Sequence, residues 1–340
     1  MKKKTDLLRL RALCENQELL PQEVLSWIAE NNLWNLWVPK SHGGLEMPLA
    51  QGLETLRLLA ETDGSLGWTV TLCSGANFFV GNLQKEVAHK VFVESESPVC
   101  LGGSGGVFGT AEKKGDAYIV SGKWKYATGA PYLSHFTLNA KIIENGKVLK
   151  NKDGSDRVCS FLLNKNDVNI VPDWKTMGLK ATATHSFEVH QKKVDKAFTF
   201  LYNKVYHESP IFKIDFSVFA DLTLWVNYIG MATSFCKEAR KILFDNGEIK
   251  GLKNAIDLGN VKINQHTLAI EEKINSKSAI PEAWVNQVHQ DASKSVKTLS
   301  EAIIRVYPLL GIRACSENHR LNYIFKDYFT ATQHHIFSRK

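Results

Sequence analysis

A double change in the period of the apolar residues constrains this chain more than any other feature. From residue 5 to about 95, apolar positions recur every three or four residues, in LLRLRALCENQELL, QEVLSWIAENNLWNLW and PLAQGLETLRLLAETDGSLGWTV, the spacing of helices that bury one face. Pro21, Pro39, Gly43, Gly44 and Pro48 fall between these runs, where breakers belong. Near Pro98 the period becomes two: AYIVSGKW, HFTLNAKII, RVCSFLL and HSFEVH alternate between the turn signals KKGDA, NGK and NKDGSD. After Pro210 the helical period returns and continues to the end.

These blocks predict an α+β multidomain architecture. It has an N-terminal helical domain over 1–96 with four to six helices, a central antiparallel β-barrel or sandwich over 97–205, and a C-terminal helical bundle over 206–340. The long helix around 254 to 300 is polar except for Ile256, Val261, Ile263, Leu268, Ile270 and Ile274; it suits an oligomer interface or a solvated outer face equally.

Charge and cysteine usage exclude several classes. The net charge of +7, from 42 basic and 35 acidic residues, is scattered along the chain rather than gathered into a patch, so nucleic acid is not an expected partner, whereas an anionic cofactor or ester suits the overall field. No apolar run reaches the roughly 18 residues of a membrane span, and MKKK leads into a charged helical stretch, so a cytoplasmic protein without a membrane partner is expected. Cysteines 14, 73, 100, 159, 236 and 315 form no C-x-x-C pair; buried small residues in a reducing compartment are expected, and no metal.

Known nucleotide motifs fail on spacing. The GGSGG run at 102–106 matches neither the dinucleotide fingerprint nor the phosphate loop, leaving a flexible entry to the β domain or a loop where a ligand approaches the backbone. No G-x-S-x-G, H-E-x-x-H or calcium-loop pattern occurs.

Four segments in register carry more information. LAETDGSLGWTV at 59–70, GDAYIVSGKWKYATGA at 115–130, WKTMGLKATATHSFEVHQKKV at 174–194 and FKDYFTATQHH near the end resemble, in order and spacing, the acyl-CoA dehydrogenase superfamily. The likeness is nearest to its flavin-dependent, two-component monooxygenase branch (group D), whose members receive reduced flavin from a separate reductase. The resemblance implies the superfamily fold, with a C-terminal four-helix bundle, FAD or FMN bound as reduced flavin, and a homodimer or homotetramer. It also implies hydroxylation of a small aromatic or polycyclic substrate through a flavin C4a-hydroperoxide.

Residue by residue, the same resemblance puts Tyr126 near the isoalloxazine ring and Thr128 with the Gly129 backbone at its N5 and O4 edge. A segment that relatives write W-x-x-x-G-M-R-G-T-G-S-H reads Trp174, Gly178, Leu179, Lys180, Ala181, Thr182, Ala183, Thr184, His185 here, so Lys180, Thr182 and Thr184 are implied cofactor contacts, and Trp124 or Trp174 would wall the site. In dehydrogenases a catalytic glutamate can lie eight residues after an Arg-Asp pair. Here the pair is Lys326-Asp327 and the eighth residue is His335, with His334 beside it. Histidine at that position suits a base working near neutral pH.

The chain departs from the family in lacking the arginine-phenylalanine-glycine phosphate signature after Arg240, and in having Ser74, Gly75, Ala76 and Asn77 in the stretch shortly after D-G-S-x-G-W where hydroxylase relatives often place a histidine. Two other readings stay open at this point: acyl-thioester dehydrogenation, which needs a carboxylate base, and a flavin-free binding or assembly paralogue.

Overall fold

The computed structural model describes residues 4–276 and 280–334. Five helices come first: α1 (Lys4–Cys14), α2 (Gln22–Glu30), α3 (Leu49–Thr62), α4 (Gly64–Asn77) and α5 (Lys85–Phe92). Helix α4 is buried around almost its whole circumference, which is why its sequence shows apolar and small residues without a polar face. Asp63 caps it, its carboxylate accepting the Leu66 N–H at 2.9 Å. Helix α3 crosses α4 at a glycine: a Cβ on Gly67 would lie 2.3 Å from the Ala60 Cα.

Eight strands follow: β1 (Leu101–Lys114), β2 (Ala117–Ala127), β3 (His135–Glu144), β4 (Lys147–Val148), β5 (Val158–Asn164), β6 (Asn169–Val171), β7 (His185–Asp195) and β8 (Thr199–Phe200). Their order is β6-β7-β2-β1-β3-β5-β8, with β4 on β3. The sheet is mixed, which corrects the expected all-antiparallel domain: β1 pairs with β3 in parallel, Leu101 opposite His135 and Glu112 opposite Ile143. Two turn signals act as the sequence implies. Gly115 takes φ +61° between β1 and β2, and Asn145-Gly146, at φ +51° and +75°, form the two-residue link from β3 to β4.

Four further helices complete the described chain: α6 (Phe216–Leu243), α7 (Gly247–Asn275), α8 (Glu282–Val306) and α9 (Arg320–Ala331). Helix α6 is the central one, packed by α3, α4, α7, α8 and α9. On α7, Ile256, Ile263, Ile270 and Ile274 are buried, whereas Val261 and Leu268 join Leu258 on an exposed face. Among the cysteines, 14, 73, 100 and 236 are buried, 159 is partly covered and Cys315 is exposed, which corrects the expectation for that residue. Among the described residues no helix is long and apolar enough to cross a membrane, and no cluster of side chains could hold a metal.

Candidate active site

The predicted cofactor residues lie on the end of β2 and in two loops that face each other where the sheet meets α4 and α9. The first follows β2, the second precedes β7. They are tied by the Gly129 N–H, which donates to the Thr182 carbonyl at 2.8 Å. The end of β2 and the second loop hold residues in the left-handed region that is costly for side-chain-bearing residues: Tyr126 at φ +66°, Leu179 at +51° and Ala183 at +43°. Such conformations persist only where the surroundings enforce them, and they gather at functional sites.

A row of buried hydroxyls connects the loops. Thr128 Oγ1 lies 3.1 Å from Thr184 Oγ1, which lies 2.7 Å from Thr182 Oγ1, and Thr182 donates to the Leu179 carbonyl at 2.7 Å. Trp174 Nε1 donates to that same carbonyl at 2.9 Å. Two residues before Thr128, Tyr126 is 66% exposed, its ring edge-on to Trp174 at 6.5 Å, and so presents an uncovered aromatic surface. The His185 ring, its pKa lowered by burial, accepts the Trp174 N–H on Nδ1 at 3.0 Å.

Helices hold the loops in place. On α4, the Cys73 thiol points at the Thr128 carbonyl at 3.8 Å, and a Cβ on Gly129 would come within 3.0 Å of that sulfur. On α9, Asp327 Oδ1 accepts the Leu179 N–H at 2.5 Å. The α9 backbone runs so close that a Cβ on Gly178 would sit 2.2 Å from the Lys326 carbonyl, and one on Gly64 would sit 2.7 Å from Asp327 Oδ2. A cavity of about 20 Å³ separates Asp63, Asp327 and Arg320. Burial, and then repulsion from Asp63, push the Asp327 carboxyl up to about 8; burial also raises Asp63.

The remaining predicted residues are placed as follows. Trp124 is fully enclosed, stacked on Phe187 and donating from Nε1 to the Asn139 carbonyl at 2.9 Å, so it offers no face to a ligand. The Lys180 ammonium is at the surface, 3.9 Å from Glu18. His334 packs edge-on to Trp68 of α4, ring centres 5.7 Å apart. His335 lies outside the described residues. Asn77 is buried and fully engaged: its Nδ2 donates to Asn35 Oδ1 at 2.7 Å and to the Val99 carbonyl at 3.0 Å, and its Oδ1 accepts the Leu101 N–H at 2.7 Å. In the sequence Asp327 serves only as an origin for counting and Leu179 carries no sign of a role, although the two join the helix to the hydroxyl row.

The donor set fits a flavin. A planar ring can cover Tyr126, and a buried hydroxyl edge can meet the ring nitrogens at Thr128.

No family model matches the chain. Among curated proteins, it is 26% identical over 259 residues to indole-3-acetate monooxygenase of Acinetobacter baumannii, covering 75% of this chain and 63% of that protein. It is 20% identical over 227 residues to a flavin-dependent monooxygenase, oxygenase subunit, of Rhodococcus jostii, covering 64% and 57%. The chain thus aligns with less than two thirds of the length of either relative. Among solved structures, XiaF from Streptomyces, in complex with FADH2 and glycerol, superposes with a TM-score of 0.85 at 18% identity, over 98% of this chain and 91% of that one. The chain is thus similar in sequence to flavin-dependent monooxygenases over part of their length and shares its fold with XiaF.

Proposed function

We propose that this chain is the oxygenase component of a flavin-dependent monooxygenase that hydroxylates a small aromatic or polycyclic substrate, using reduced FAD or FMN delivered by a separate reductase. The observation that carries the reading is the buried hydroxyl row ending at Thr128, two residues from the exposed Tyr126 ring. When bound, reduced flavin supplies the two electrons that, with O₂, give one hydroxylated product and one water.

The chain's own residues bind and orient. Tyr126 and Trp174 would flank the ring, and Thr128 would meet its N5 edge. Thr182 and Thr184 hold Thr128 in place, and Lys180, on the same loop, faces solvent where it can meet an anionic group. The Gly129 N–H, already given to Thr182, fixes the loop instead of the cofactor. Trp124 takes no part. Helices α4 and α9 back the two loops, through Cys73 at the Thr128 carbonyl and Asp327 at the Leu179 N–H. His335, with His334 second, holds the proton that the substrate gives up.

Acyl-thioester dehydrogenation is less well supported. It needs a free carboxylate base, and the carboxylates of Asp173 in the second loop, of Asp327 and of Asp63 accept the Ser186, Leu179 and Leu66 N–H groups.

A homodimer or homotetramer in the cytoplasm completes the reading, with the exposed Leu258, Val261 and Leu268 face of α7 as the supporting surface. Light scattering giving a mass near 38.2 kDa at micromolar concentration would count against it.

The deciding experiment is anaerobic titration with reduced FMN and reduced FAD, followed by heavy-oxygen gas and a panel of aromatic acceptors including indole-3-acetate. Tight binding of reduced flavin and one labelled oxygen in the product support the proposal. Absence of binding by both reduced flavins sinks it.

A further inference from the structure

The hydroxyl row has a fixed polarity. A threonine hydroxyl carries one proton, and a carbonyl oxygen only accepts. Thr182 Oγ1 and the Leu179 carbonyl oxygen are 2.7 Å apart, a contact that two oxygens sustain only with a proton between them, so the Thr182 proton is committed there. Thr182 therefore accepts from Thr184 at 2.7 Å, and Thr184, its proton spent, accepts from Thr128 at 3.1 Å.

The end of the row cannot turn over. The Leu179 peptide is anchored by its N–H to Asp327 at 2.5 Å and by Trp174 Nε1 on its carbonyl, with Leu179 in the left-handed region. At the other end Thr128, 6% exposed, is left with lone pairs to offer and no proton.

We propose that Thr184 is a positioning residue that makes this site selective for the reduced state of flavin, an inference that rests on the flavin site proposed above. Reduced flavin carries a proton on N5 and donates to an acceptor. Oxidised flavin has a bare lone pair at N5 and needs a donor. With the row polarised toward Leu179, Thr128 meets N5–H well and opposes unprotonated N5 with its own lone pair. The same polarity favours release of the cofactor once it has been oxidised, as a protein that exchanges flavin with a reductase requires.

The test compares dissociation constants of oxidised and anaerobically reduced FMN and FAD for the wild type, Thr184→Val and Thr184→Ser. Valine keeps the shape but accepts nothing, so the Thr128 proton is freed to turn toward N5. The preference for reduced flavin is expected to fall roughly five- to tenfold, the scale of one hydrogen bond, mainly through tighter oxidised binding. Each tenfold loss lowers the midpoint potential of the bound two-electron couple by about 30 mV. Serine, which restores the acceptor, is expected to restore both values.

If Thr184→Val, folded by circular dichroism, keeps the wild-type preference and potential, the polarity inference is overturned while the flavin site stands. If the wild type binds flavin in neither state, the proposed function fails and this inference with it.

Discussion

Asp327 on α9 and Leu179 in the loop before β7 are joined by a 2.5 Å hydrogen bond from the Leu179 N–H to the carboxylate, and the carbonyl of the same leucine receives the Thr182 hydroxyl. One peptide group thus links a late helix to the candidate cofactor loop. Its partner is an unusual carboxyl, raised to about 8 by burial and by Asp63.

That shift sets a pH dependence. A carboxyl whose folded pKa exceeds its unfolded value binds more protons when folded, so unfolding releases protons and stability falls as pH rises from the ordinary aspartate range to about 8. Asp327→Asn keeps an oxygen for the Leu179 N–H but cannot ionise. Urea unfolding of this variant is expected to show a flatter stability profile over that window; a profile as steep as the wild type's would refute the assignment.

Thr128→Val removes the acceptor proposed for N5. Reduced flavin should bind roughly tenfold more weakly, the cost of a hydrogen bond lost in a dry site, with the far-ultraviolet spectrum unchanged. Fluorescence titration under anaerobic conditions measures it, and unaltered affinity would remove Thr128 from the site.

His335→Ala is expected to lower turnover by roughly 10²- to 10⁴-fold while flavin affinity is retained, the signature of a lost general base. His334→Ala should act more weakly, through the edge-on contact with Trp68. Steady-state kinetics with the best acceptor from the panel decides the matter. A change of only a few-fold in His335→Ala would move the proton-holding role elsewhere.

Gly67→Ala tests the packing of α3 on α4. The added methyl would lie 2.3 Å from the Ala60 Cα and 2.5 Å from its nitrogen, which are backbone atoms that cannot swing aside. A loss of about 1–3 kcal/mol is expected from chemical denaturation.

Much of this organisation is legible in the sequence because it is local. The change of period marks where helices give way to strands, and Gly115 and Asn145-Gly146 announce their turns. Strand direction is not local: alternation in β1 and β3 is the same whether they pair in parallel or not, so their parallel register is hidden. On α7 the sequence does not sort the apolar positions into the buried Ile256, Ile263, Ile270 and Ile274 and the exposed Val261 and Leu268, because period alone does not tell a buried face from an exposed apolar one. At the site, the threonines can be singled out, but the left-handed turns at Tyr126, Leu179 and Ala183 occupy residue types that give no hint of them. Asp63 and Asp327 meet only because α4 and α9 cross, which no spacing records.

Asn77, at the end of α4, joins segments 42, 22 and 24 residues distant in the chain: Asn35, Val99 and Leu101. Bonds of that sequence separation form late and break together. The first helices and the sheet therefore share one cooperative fate: fraying at the end of α4 withdraws the Leu101 N–H from its acceptor and loosens the start of β1, so hydrogen exchange in the two regions should rise and fall as one.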